Sequence, residues 1–281
     1  MRLGMNMLLW TTHVTERHYP LFPDLQKTGF EGIEIPVGSG DETYYRSLGE
    51  RLADLGLART GVFSVGAEHN AVSPDPAVRR AAVQRIAWAA EMTAALGGNH
   101  LGGPFHSAYA VFSGQPPTAD ERSWCVETLR AAAEAADALG VTLAIEPLNR
   151  FECYMVTTAG QGAEIVRRVD HPRLRMLYDT HHMHIEEKDM AASILDNAAV
   201  ISHVHISEND RGVPGSGQLD WQGTFGALEQ IDFDGWLMIE AFSRLEPEFG
   251  SIVRIWRELH ASPEEVYRGG YAFVRRMLAE T

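Results

Sequence analysis

The chain has 281 residues, a hydrophobic fraction of 45% and a formal net charge of -14. That length can bury a large core and suits one α/β barrel. So negative a chain, with no basic cluster, excludes nucleic acid as a partner, and no run of about 18 apolar residues offers a membrane span.

The start, Met1-Arg2-Leu3-Gly4-Met5-Asn6-Met7, is apolar but short and carries no small-residue cleavage site. It reads as a first strand and not as a signal peptide. With Cys125 and Cys153 as reduced thiols, the expectation is a cytoplasmic protein. From there, short β-type runs alternate with longer helical patterns. The runs fall at 3–9, 32–36, 59–65, 99–103, 142–146, 175–179, 202–207 and 236–240. Amphipathic stretches at 76–96 and 119–139 lie between them, opened by Pro74-Asp75-Pro76 and Thr118-Ala119-Asp120. A helical tail covers 263–278. Eight strand–helix units predict parallel strands and a closed (β/α)8 TIM barrel. An open doubly wound sheet would show a Gly-rich turn after strand one, where Trp10-Thr11-Thr12-His13 stands instead. No linker or composition shift divides the chain, so residues 1–281 are read as one domain.

The residues that close the later strands carry the chemistry. Glu146 ends one run, Asp179 the next, His205 the next and Glu240 the last. In a parallel barrel these ends meet on one face, where active sites of the fold lie. Each acid alone could cap a helix or pair with an arginine. Together, three carboxylates and an imidazole form a hard-to-borderline donor set suited to Mn²⁺, Mg²⁺, Co²⁺ or Zn²⁺. Without a cation the carboxylates would repel one another. Glu152, His182 and Arg211 follow on loops leading out of three of those strands, where a substrate would sit. His203 shares a face with His205 one layer deeper and reads as a supporting histidine. The glycines of 212–221 match no phosphate-binding fingerprint and predict a flexible loop over the site. Trp10, Phe105, Tyr109 and Phe112 are candidates for an apolar wall.

Four segments carry a family resemblance. They are Ile145-Glu146-Pro147-Leu148-Asn149-Arg150-Phe151-Glu152, Asp179-Thr180-His181-His182-Met183-His184-Ile185-Glu186-Glu187, His203-Val204-His205-Ile206-Ser207-Glu208-Asn209-Asp210-Arg211, and Gly215-Ser216-Gly217-Gln218-Leu219-Asp220-Trp221. They resemble the D-tagatose 3-epimerase/D-allulose (D-psicose) 3-epimerase family of xylose-isomerase-like TIM barrels. The resemblance implies one divalent metal ion, Mn²⁺ first among the candidates, held by Glu146, Asp179, His205 and Glu240. It implies that Glu146 and Glu240 are also the two acid/bases, acting on opposite faces of the substrate. Glu152, His182 and Arg211 would then hold the O1–O2 end of a ketose. Asn6, where many members carry an aromatic residue, and the loop 104–109 depart from the family pattern.

The function expected is C3 epimerisation of a free ketose through a cis-enediolate. An aldose–ketose, hydroxypyruvate or inosose isomerase, a dehydratase and a non-catalytic sugar-binding barrel are the alternatives. Two facing glutamates argue against simple binding. The acidic charge and the few clustered histidines argue against an endonuclease. The expected partners are a small sugar and further copies of the chain, as a dimer or tetramer.

Overall fold

A computed structural model describes residues 1–280. The elements run β1 (Arg2–Asn6), α1 (Leu21–Thr28), β2 (Gly32–Pro36), α2 (Glu42–Asp54), β3 (Ala58–Val62), α3 (Pro76–Ala95), β4 (His100–Gly103) and α4 (Ala119–Asp137). They continue with β5 (Thr142–Ile145), α5 (Ala159–Val169), β6 (Leu174–Asp179), α6 (Thr180–Glu186), α7 (Met190–Asn197) and β7 (Ile201–Ile206). The last are α8 (Trp221–Gln230), β8 (Trp236–Ile239), α9 (Pro247–Ile252) and α10 (Gly270–Glu280). The strands form a closed barrel in chain order, and β8 returns to pair in parallel with β1, Arg2 opposite Trp236. This is the (β/α)8 barrel that the alternating pattern predicts.

Helix starts follow the local chemistry. Asp75 accepts the Ala77 N–H, and Pro76 occupies the first turn of α3. Thr118 and Glu121 form a reciprocal capping box at α4. Strand ends shift slightly from expectation. β1 stops at Asn6 because the Asn6 Oδ1 accepts the Leu8 N–H at 2.8 Å, which turns Met7–Leu9 into a 3-10 turn. The tail opens with a π-helical turn, Glu265–Gly269, and continues as α10. No helix among the described residues is long and apolar enough to cross a membrane.

Gly103 ties the frame to the site. Its carbonyl accepts the backbone N–H of Glu146 at 3.1 Å. Its φ is +129°, and a Cβ there would lie 2.1 Å from the Phe63 carbonyl oxygen. Only glycine fits both demands. Gly103→Ala should therefore cost about 2 kcal/mol or more. That lowers the melting midpoint by roughly 4–8 °C, and an unchanged thermal melt would contradict it.

Candidate active site

The barrel brings the four strand-end residues together. Asp179 closes β6 and lies in register with His205 of β7. Glu146 and Glu240 each follow the last residue of their strands. All four are buried, and one ligand atom from each lies within 4.8 Å of the others. His205 Nδ1 stands 3.3 Å from Glu240 Oε1, 3.6 Å from Asp179 Oδ2 and 3.8 Å from Glu146 Oε1. Ligands bound tetrahedrally at about 2.1 Å sit roughly 3.4 Å apart. His205 Nε2 is engaged by Glu34 at 2.8 Å, while its Nδ1 is buried with no hydrogen-bond partner. In its neutral form, with the proton on Nε2 toward Glu34, His205 turns a bare Nδ1 toward three carboxylates, and that donor set fits a divalent cation.

The charges confirm the crowding. Burial pushes the Glu146 carboxyl well above the usual carboxylate range, and the neighbouring Asp179 and Glu240 add to the rise. Burial also opposes charge on Asp179, but Arg211, with Nη1 3.0 Å away, and the nearby histidines hold its carboxyl low. Burial opposes charge on His205 too, and the carboxylates of Glu240 and Glu34 overcome it. Asp179 serves two structures at once. Its Oδ1 caps α6 by accepting the His182 N–H at 3.0 Å, and its Oδ2 faces the cluster.

Arg211, His182 and Glu152 border the same centre. Arg211 is buried with φ +67° at the turn after β7. Its Nη1 donates to Asp179 (3.0 Å), Glu240 (2.8 Å) and Ser207 Oγ (2.9 Å). Glu152 Oε1 accepts from Asn149 Nδ2 at 3.0 Å. The backbone N–H of Asn149 points at His182 Nδ1, 3.1 Å away. Burial, followed by the Arg211 charge, lowers the His182 pKa and keeps the ring neutral. Its single proton is thereby assigned to Nε2. That N–H faces Arg211 Nη2 at 2.8 Å, a donor against a donor. Both groups therefore have donor capacity to offer a ligand oxygen placed beside the pair.

These residues open into a cavity of about 290 Å³, near the lower limit for ligand pockets. Glu146, Glu152, His182, Arg211 and Glu240 line its floor. Leu8, Val62, Phe63, Phe242, Phe249 and Ile252 are among its apolar walls. Of the aromatic residues expected in that wall, only Tyr109 lines the cavity. Trp10 is buried against Tyr267, Phe105 is buried in the core, and Phe112 faces solvent.

The family model of xylose isomerase-like TIM barrels matches residues 22–277. A probable ketose 3-epimerase of Synechocystis sp. is 31% identical over 98% of this chain and 96% of its own. The ketose 3-epimerase of Arthrobacter globiformis is 31% identical over 99% and 97%. The chain belongs to the ketose 3-epimerase family of xylose isomerase-like TIM barrels. A solved D-psicose 3-epimerase of Clostridium cellulolyticum H10, crystallised with D-tagatose, superposes with a TM-score of 0.90 at 28% identity, covering 99% of each chain. The family resemblance carried by the four sequence segments is thus borne out along the whole chain.

Two features of this epimerase-family barrel escape the sequence reading. Glu34, in the middle of β2, is fully buried and binds His205 from beneath. The loop 212–221 is anchored and contributes no residue to the cavity lining. The Glu208 carboxylate, itself buried, accepts from the N–H groups of Asn209 (3.0 Å) and Gly215 (2.8 Å) and from Trp221 Nε1 (3.1 Å). The expectation of a flexible cover is corrected: glycine content hid an acid that fastens the loop from below. Glu208→Ala removes that fastening. Limited proteolysis between 209 and 220 should accelerate about tenfold or more as local opening becomes easier. A cleavage rate equal to wild type would refute the anchoring role.

Proposed function

We propose that this chain epimerises a free ketose at C3, with Glu146 and Glu240 as paired acid/bases at a divalent metal centre. The carrying observation is that pair, set at the floor of one small cavity in a chain of the ketose 3-epimerase family. In this reading Glu146, Asp179, His205 and Glu240 hold the cation. The cation supplies Lewis-acid polarisation of the ketose oxygens. Mn²⁺ is the ion proposed first, with Mg²⁺, Co²⁺ and Zn²⁺ as alternatives on the same donor chemistry.

The remaining steps belong to side chains. One glutamate removes the C3 proton and the other returns a proton to the opposite face; the roles exchange in the reverse direction. The His182 Nε2–H and the Arg211 guanidinium lie side by side in the cavity lining as two donors. They hold the O1–O2 end and stabilise charge developing there. Glu152 accepts from a hydroxyl of the same end. Among the described residues lining the cavity, Arg211 is the one Lys or Arg, and it is already paired with Asp179 and Glu240. The lining itself thus holds no free cation for a phosphate, Arg254 standing outside it against Tyr109 Oη at 3.4 Å, which supports an unphosphorylated sugar. We further propose that the barrel is the chain's one domain and works as a cytoplasmic homo-oligomer. The buried free thiols of Cys125 and Cys153 and the exposed apolar side chains of Phe151, Leu245 and Trp256 support that reading.

Deuterium tracing tests the reaction. In D₂O with Mn²⁺ and a ketose panel, label should enter C3 of the product and leave C1 unlabelled. Label at C1 with an aldose product would assign an aldose–ketose isomerase instead. Glu146→Gln and Glu240→Gln should each lower turnover by about 100-fold or more. Metal content is read in parallel by elemental analysis, since both residues are also proposed ligands. A variant with full metal and near-normal turnover removes the two-base mechanism.

Arg211→Ala separates substrate contacts from metal ligands. Its guanidinium meets Asp179 and Glu240 as a cation and offers no ligand atom. Turnover should fall about 100–1,000-fold with metal content intact. Loss of the metal in this variant would show that the arginine holds the centre together.

A further inference from the structure

The interior of a parallel barrel is ordinarily filled by Val, Ile and Leu. Here a row of adjacent strands presents Asn6, Glu34 and Thr60 in register across β1, β2 and β3. All three are fully buried. A carboxylate in that place costs several kcal/mol in desolvation unless it is well paired, so its partners show what it is for. Glu34 Oε2 accepts from His205 Nε2 at 2.8 Å and from Asn6 Nδ2 at 2.9 Å. Glu34 Oε1 accepts from Thr60 Oγ1 at 3.1 Å. His203 Nε2 stands 2.9 Å from the same Oε1, off the line of a hydrogen bond.

We propose that Glu34 is a positioning residue for the metal centre: it holds the proton of His205 on Nε2, so that Nδ1 presents its lone pair to the cation, and through Asn6 it fixes Glu240. The geometry leaves little freedom in either link. An imidazole that donates from Nε2 to a carboxylate is bare at Nδ1 in its neutral form, and Nδ1 is the nitrogen that faces Glu146, Asp179 and Glu240. The Asn6 amide cannot turn over, because its Oδ1 is held by the Leu8 N–H. Its Nδ2 is thereby directed inward, where it bridges Glu34 Oε2 and Glu240 Oε1 at 2.9 and 3.0 Å. One buried carboxylate thus sets the tautomer of one proposed ligand and the orientation of another.

The inference rests on the metal-centre reading above, and its test keeps the two apart. Mn²⁺ alone is titrated by calorimetry into wild type and Glu34→Leu, and the metal-free melting midpoints are recorded. Leucine leaves His205, Asn6 and Thr60 without their acceptor, so the metal-free midpoint falls on either reading. Positioning predicts in addition an Mn²⁺ affinity loss of about 10–100-fold. A purely structural Glu34 predicts a folded variant with Mn²⁺ affinity within about threefold of wild type, which overturns the proposal. Wild type that takes up no Mn²⁺ at micromolar concentration sinks the metal centre itself. Should the leucine variant not fold, wild type loaded with diamagnetic Zn²⁺ decides the matter. The imidazole ¹H–¹⁵N spectrum of His205 should show a slowly exchanging proton on Nε2 and none on Nδ1. A proton on Nδ1 overturns the proposal.

Discussion

Glu146, Asp179 and Glu240 are buried at one mouth of the barrel, close enough for their oxygens to share a single imidazole neighbour. In such surroundings like charges repel strongly and water does little to screen them. Much of the surrounding structure answers that repulsion. Arg211 is folded inward on a left-handed backbone to reach two of the carboxylates. Asp179 spends one oxygen on the first turn of α6, where backbone N–H groups welcome negative charge. Asn6 donates to Glu240. None of these removes the crowding, and the Glu146 carboxyl is still pushed well above the usual carboxylate range. At the proposed metal centre a divalent cation would offset that repulsion and supply the Lewis acid that carbon-acid chemistry needs.

That constraint explains which parts of the site are legible in a sequence. Parallel closure turns distance along the chain into adjacency, so an acid or histidine at the end of each successive β-run is a local signal with a global meaning. Asp179 and His205 show it most directly, being register partners on neighbouring strands. Glu34 gives no such signal. In Gly32-Ile33-Glu34-Ile35-Pro36 it looks like the polar position of an alternating strand, and only the closed barrel shows that the polar side faces inward. Asn6 is hidden likewise, since its capping of the Met7–Leu9 turn and its inward amide depend on Glu34 and Glu240 being there. The loop 212–221 misleads for the opposite reason. Its glycines suggest mobility, yet Gly217 and Gly215 are small because Glu208 and Phe273 press against them.

The cavity divides its work between two ends. At the floor, charge and directed hydrogen bonds are dense, and each group is fixed by a second one: His182 by Asn149, His205 by Glu34, Glu152 by Asn149. The rest of the lining is mainly apolar, with Leu8, Val62, Phe63, Phe242, Phe249 and Ile252, and includes Thr12, Ser64 and Tyr109. The apolar walls come from the end of β3, from the segments after β1, β3 and β8 and from the short helix α9, where no periodic pattern marks a residue as pocket-facing, so most of them are not legible in the sequence.

The division has a consequence for recognition. A site built from hydrogen-bonding groups rejects a ligand lacking the matching group by a large factor, because its own buried polar atoms are left unpaired. An apolar wall discriminates weakly: one methylene is worth about 1–3 kcal/mol, and an added hydroxyl is hardly rejected. On the proposed roles, reading of the substrate is concentrated where Arg211, His182 and Glu152 stand, and is looser elsewhere in the cavity. Selectivity among sugars that differ only beyond the reacting carbons would then fall to the shape of the apolar walls and to the hydroxyls of Thr12, Ser64 and Tyr109 in the same lining. Those side chains touch none of the proposed acid/bases through a hydrogen bond. They can change without disturbing the charge balance on which the floor of the site depends.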